Sequence, residues 1–193
     1  GEARSRLAVR LPQLDGPLKR GSRNPDLAII CNDIDSVKAA CQAGCKRVYF
    51  EPDPGDMGRV LREAIATCRE SKVRIAWKWP RIPLPEFTTA ALTLLPGFAD
   101  AGLEEVMTEG AMYADPIRDR APGIQVTGGP DLNVFNACAI KALAHDCPGV
   151  TLSPELSGED IALLCNRLGD SGQVSVLVQG NIPAMITADT LLD

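Results

Sequence analysis

"RVYFEPDPGDMGRVLREAIATCRESKVRIAWKW", residues 47 to 79, decides the fold. It opens on a β-branched and aromatic run (47–51) and closes on another, "RIAWKW" (74–79). Both are nearly continuous apolar stretches, as strands covered on both faces should be. Between them, Met57, Val60, Leu61, Ala64, Ile65 and Cys68 recur at offsets of three and four, drawing one apolar stripe over 57–71. Arg59, Arg62, Glu63 and Arg69 take the opposite face. The segment therefore predicts strand, helix, strand, with a crossover long enough for a parallel pair.

Outward from this unit the pattern repeats. Strands are expected at 26–31, 104–109, 124–128, 149–153 and 174–180, and "RLAVRL" (6–11) offers an eighth. Helices are expected at 35–43, 87–101, 111–119, 133–146 and 157–168. Gly44 and Gly102 fall just past helix ends, where a left-handed residue is wanted, and Ser157 with Asp160 has the spacing of a capping box. A strand-plus-helix repeat of roughly 20 to 28 residues is that of a parallel βα unit. The expected fold is a TIM-like α/β barrel of parallel strands, closed or else incomplete or distorted, with seven to eight strands. An open doubly wound sheet is the alternative, weakened because no G-x-G-x-x-G run follows the first strand.

With 193 residues, 45% of them hydrophobic, the chain can bury one core, so residues 26–193 are assigned to a single barrel domain and 1–25 to an arm or extra strand. Twenty basic residues against 25 acidic ones give a net charge of -5, and the basic excess sits in the arm (Arg4, Arg6, Arg10, Lys19, Arg20, Arg23). That balance does not build a nucleic-acid groove. No apolar run approaches the roughly 20 residues that span a bilayer. Seven cysteines, an odd number with no C-x-x-C pair and no signal sequence before them, fit reduced thiols in a cytoplasm, packed as small buried hydrophobes. A chain opening on Gly1 without an initiator Met reads as a piece of something longer, so its expected partner is the remainder of that chain or a second barrel domain.

In a parallel barrel the strands' C-terminal ends share one mouth, and chemistry is found there. That mouth would receive Asn32 and Asp33, Glu51, Lys78 with Trp79 and Arg81, Glu109, Asp131 and Asn133, Glu155, then Gln179 and Asn181. Three strands each followed by a Glu (51, 109, 155) suggest converging carboxylates that raise one another's proton affinity. Glu155, Glu51 and Glu109 are the expected acid–base groups, and Asn32, Lys78, Arg81, Asn133, Gln179 and Asn181 the expected substrate contacts. Singly, each carboxylate has a plainer use, accepting from the first amides of the next helix. Nothing fixes a metal geometry, and no metal is expected. Because Trp77 and Trp79 bracket Lys78, alternation sends the indoles one way and the amine the other. His145 is expected near the C-terminus of helix 133–146, complementing its dipole.

Four strings, "AACQAGCKRVYFE" (39–51), "LNVFNACAI" (132–140), "VTLSPEL" (150–156) and "LVQGNIPAMIT" (177–187), resemble the collagenase-like peptidases of unknown catalytic type, peptidase family U thirty-two. The resemblance runs from about Asp26 onward and implies a βα-barrel domain of a larger cytoplasmic protein, with hydrolysis of a peptide or small molecule as its nominal activity. Other members of that family are oxygen-independent hydroxylases of RNA bases or a quinone precursor that carry an iron–sulfur cluster. Where the family's pattern has cysteines this chain has Pro183 and Thr190, and where a His usually precedes the glycine it has Gln179. Neither Pro nor Thr can ligate iron, so a cluster would need ligands from outside this chain. A non-catalytic docking barrel is the third expectation.

Overall fold

The computed structural model describes residues 26–168 and 173–180. The proposed strand at 6–11, the arm as a whole, Asn181 and the positions of Pro183 and Thr190 lie outside the described residues.

Seven strands form one parallel sheet in strict chain order: β1 Ala28–Cys31, β2 Arg47–Phe50, β3 Arg74–Lys78, β4 Glu105–Thr108, β5 Gln125–Gly128, β6 Gly149–Thr151 and β7 Gln173–Ser175. Between them run α1 Ile34–Gln42, α2 Met57–Glu70, α3 Pro85–Ala101, α4 Ala114–Arg120, α5 Ala137–Leu143 and α6 Gly158–Leu168. A doubly wound sheet reverses its strand order partway, and this one never does, so the open-sheet alternative falls. Crossovers of one hand then lay every helix on the same side, and the sheet curls into an incomplete parallel α/β barrel.

The signals at Gly44, Gly102 and Ser157 and along α2 act as read, and Asp33 and Pro85 add two more. Asp33 caps α1, accepting from the Ser36 N–H at 2.7 Å, and Gly44 (φ 75°) turns the chain toward β2. The stripe of α2 buries Met57, Leu61, Ala64, Ile65 and Cys68 against the sheet. Pro85 starts α3 where a missing N–H costs nothing, and Gly102 (φ 112°) ends it. Ser157 Oγ accepts from the Asp160 N–H at 3.1 Å and donates to the Asp160 carboxylate at 2.6 Å, closing the capping interaction of α6.

Strand register separates two faces. Cys31, Phe50, Trp77, Val106 and Val126 lie in one row across β1 to β5 and face the helices. Trp77 sits edge-on to Trp79, Phe87 and Phe98, with centroids 5.8, 6.1 and 5.3 Å away. Each such contact adds to burial that is itself worth about 1.5–3 kcal/mol per large apolar side chain. The inner face carries Arg47 and Tyr49 of β2, Ala76 and Lys78 of β3, Glu105 and Met107 of β4, and Thr127 of β5, and its only apolar cluster among the described residues is Tyr49, Ala76 and Met107.

Several boundaries differ from expectation. The helix expected at 111–119 is a 3-10 turn, Ala111–Tyr113, running into α4. The helix expected at 133–146 shrinks to α5, because Asn133 adopts a left-handed backbone (φ 49°), Val134 bridges Leu152, and Asn136 caps by accepting from the Ala139 N–H at 2.9 Å. His145 consequently lies in the turn beyond α5, with its carbonyl accepting from Arg118 at 2.8 Å, and not on a helix. The strand expected over 174–180 is confined to β7, whose three residues are largely exposed. Cys165 is exposed, on the outer side of α6, while Cys31, Cys45, Cys68 and Cys147 are buried as expected.

Candidate functional site

The C-terminal ends of β2, β3 and β4 bring together three charged groups. Glu51 follows Phe50, and its backbone N–H still pairs with Cys31 O at 2.9 Å, so its side chain continues the inward set of Arg47 and Tyr49. Lys78 ends β3 and, with both tryptophans committed to the helices, turns inward. Its Nζ lies 2.6 Å from Glu51 Oε2 and 3.7 Å from Glu109 Oε1. Side-chain exposure is 35% for Glu51, 11% for Lys78 and 2% for Glu109.

Glu109 is the unusual member. One oxygen accepts from the Asp131 N–H at 2.9 Å; the other, Oε1, is buried with no hydrogen bond among the described residues. Burial pushes its carboxyl above the ordinary 4.5, opposed by the Lys78 charge and the Asp131 N–H, and reinforced by the Asp131 and Glu51 charges. Arg81 pairs with Asp131 at 3.1 Å across the rim. The group is thus a buried carboxyl whose proton affinity burial raises, an ammonium beside it, and a half-exposed carboxylate beyond. General acid–base chemistry needs such an unequal pair of carboxyls.

The remaining expected residues are placed elsewhere. Asn133 and Glu155 belong to a neighbouring group in the loops after β5 and β6, in which Ser153 Oγ donates to Asn133 Oδ1 and accepts from the Glu155 N–H, both at 3.4 Å. The Glu155 side chain is exposed and makes no hydrogen bond or ion pair among the described residues, so it is not drawn into the Glu51–Lys78–Glu109 set. Asn32 and Gln179 are exposed beyond β1 and β7. Asp33 has the plainer use, as a helix cap.

A second polar layer lies below the first. Arg47 donates to Tyr49 Oη at 3.0 Å and pairs with Glu105 at 3.4 Å, while Thr127 Oγ1 donates to Glu105 at 2.9 Å. Among the described residues the Arg47 Nε is buried without a partner, and Arg47 lines a shallow concavity together with Thr151, Gln173 and Ser175. These residues precede the strand ends and so escape a search of the mouth. Parity would have found them, since Glu105, Met107 and Glu109 alternate onto one face.

Among the described residues, one grouping of His, Cys, Asp or Glu is close enough to share a metal: Asp115, His145 and Asp146. It lies in the helix layer by the entrance to β6, and Arg118 already engages both carboxylates, at 2.9 and 3.4 Å. Three of the buried thiols, Cys31, Cys68 and Cys147, are held protonated. Burial chiefly pushes Cys31 and Cys147 up to about 11 and raises Cys68 further, so these three are not activated nucleophiles. No described helix is long and apolar enough to cross a membrane.

No protein-family model and no curated protein matches the sequence. Solved structures do match. A fructose-1,6-biphosphate aldolase, so described, from Coccidioides immitis aligns with a TM-score of 0.57 at 15% identity, over 77% of this chain and 62% of its own. The copper homeostasis protein CutC from Streptococcus agalactiae gives 0.58 at 11%, over 79% and 87%. A glycerophosphodiester phosphodiesterase from Parabacteroides distasonis gives 0.56 at 10%, over 82% and 87%. This chain therefore spans less than two thirds of the aldolase's length and most of the other two. At such identities the likeness is one of architecture, and what it establishes is that the chain folds as a parallel α/β barrel domain.

Proposed function

We propose that this barrel domain performs general acid–base catalysis, with Glu109 as the proton-holding acid, Glu51 as the base and Lys78 as the cation that steadies charge between them. The single observation that carries the reading is the buried, half-satisfied carboxyl of Glu109 beside the Lys78–Glu51 ion pair. Water is the attacking group, because no activated Ser or Cys nucleophile accompanies them. Glu51 takes a proton from water as it attacks a carbonyl, Lys78 stabilises the developing oxyanion, and Glu109 protonates the leaving group. Glu155, Asn133, Asn32 and Gln179 then serve the rim, meeting the rest of the substrate.

A peptide or related small amide is the substrate class this reading favours, supported by the strings that resemble the collagenase-like peptidases. The test is incubation with a diverse peptide mixture in ¹⁸O-labelled water, followed by mass spectrometry of new carboxyl termini. The reading expects label in the wild-type products and a loss of about 100-fold or more in Glu109→Gln and Glu51→Gln. Label that persists in both variants, or never appears in the wild type, removes it.

A docking role is the second reading, favoured by the apolar side chains exposed near both outer strands: Leu27 and Ile30 at β1, Val176 and Val178 after β7. A second barrel domain or another part of a longer chain would cover them. Sedimentation over a wide concentration range tests the simplest form, association of this chain with itself, which Leu27→Lys with Val178→Lys should abolish.

A further inference from the structure

We infer that Gly129 is a positioning residue for Glu109: its missing side chain is the space in which the carboxylate lies, pressed against the β5 backbone and closed off from water. Gly129 has φ -79° and ψ 177°, an extended backbone that any residue adopts, so conformation does not require glycine here. Space does. A methyl group built on Gly129 would fall far inside 3.0 Å of both Glu109 carboxylate oxygens and its carboxyl carbon. The backbone cannot retreat cheaply, because the Gly129 N–H donates to Thr108 O at 2.9 Å and its carbonyl accepts from the Leu132 N–H at 3.2 Å. The carboxylate cannot retreat either without leaving the Asp131 N–H at 2.9 Å and Lys78 at 3.7 Å.

Gly128, its neighbour, has the opposite task. A methyl group there would collide with the Leu132 side chain and crowd Val150, on the helix-facing side. Two adjacent glycines thus make room on two faces of one strand end, one for the core and one for the site. The groups facing Glu109 are Lys78 from β3, Glu51 from the end of β2, and Asp131 from the turn after β5, itself paired with Arg81. Gly129 sets how closely that ring can shut.

The inference rests on Glu109 being the acid of the proposed site, and its test reads the carboxyl directly. In the full chain, ¹³C NMR should show the Glu109 titration midpoint falling toward the ordinary carboxyl value of 4.5 in Gly129→Ala, because the displaced carboxylate regains water. Gly128→Ala should leave that midpoint within a few tenths. A double-mutant cycle guards against a variant that unfolds: in a Glu109→Ala background, Gly129→Ala should lose most of its effect on the denaturation midpoint. An unchanged titration in Gly129→Ala, or an undiminished stability loss in the Glu109→Ala background, overturns the inference. Failure of the ¹⁸O assay with these shifts intact would remove the catalytic reading and leave Gly129 as the residue that seats Glu109.

Discussion

Replacing Lys78 by Met keeps the length and most of the volume of the side chain and removes its charge. Glu109, 2% exposed, then loses the Lys78 ammonium and keeps the Asp131 N–H as the hydrogen bond to its ionised form. A buried carboxylate in that position protonates, and protonation sets the ceiling on what the loss can cost. From an ordinary value of 4.5, taking up a proton at pH 7 costs about 3.4 kcal/mol, at about 1.4 kcal/mol per unit of pH. At pH 5 the same step costs about 0.7 kcal/mol. Glu51, half exposed, adds about 1 kcal/mol or less at either pH. Part of the ceiling is already spent in the wild type, whose Glu109 is itself raised, so the expected destabilisation is roughly 1–3 kcal/mol at pH 7, shrinking to about 1 kcal/mol or less at pH 5. Urea denaturation at the two pH values measures it, and Lys78→Met with Glu109→Gln should recover most of the loss at pH 7. A destabilisation of the same size at both pH values would mean that lost packing, not an unpaired charge, is responsible, and would refute the account of the site.

The other expectations are simpler. Because the folded value of Glu109 lies above its unfolded one, the native state holds the extra proton, and wild-type stability should rise as pH falls through the folded value toward 4.5; in Glu109→Gln, denaturation at stepped pH should show that component gone. Trp77→Ala empties a fully buried site ringed by Trp79, Phe87 and Phe98, and should cost about 3–5 kcal/mol in the same assay. Ser157→Ala removes the cap of α6 and should cost about 1 kcal/mol, with Ser157→Asp close to wild type. Gly44→Ala meets no neighbour but must hold φ 75°, so its loss of about 1–2 kcal/mol should appear with no change in the core fluorescence of the tryptophans.

The barrel was legible because each βα unit declares itself locally. The stripe of α2, the glycines at 44 and 102 and the capping residues of α6 act within a few residues of their own position, and the strand-helix spacing does the rest. The site was legible to the same depth. Alternation around Lys78 and the placement of Glu51 and Glu109 at strand ends follow from parity alone. What parity cannot supply is distance around the rim. Glu155 reads as a strand-end residue like Glu51 and Glu109, yet β6 ends earlier, at Thr151, and β4 and β5 lie between it and the strand of Lys78. The α5 region misled for a different reason. Its apolar spacing suits a helix from 133, but "LNVFN" contains two asparagines, one taking a left-handed turn and one a cap, and these local hydrogen bonds override the period.

The two faces of the sheet also bear different burdens. Strict chain order sends every helix to the outer side, so the aromatic and aliphatic packing that holds the domain together is concentrated there, around Trp77, Trp79, Phe50 and Phe98. A barrel interior with no task is filled by branched apolar side chains. This one instead holds Arg47 against Glu105, and Lys78 between Glu51 and Glu109, in successive layers. Each of those charges gives up hydration, and apolar replacements of similar volume would cost less. The outer core supplies the apolar packing of the fold, so the inner charges are where the acid–base chemistry proposed above would have to reside.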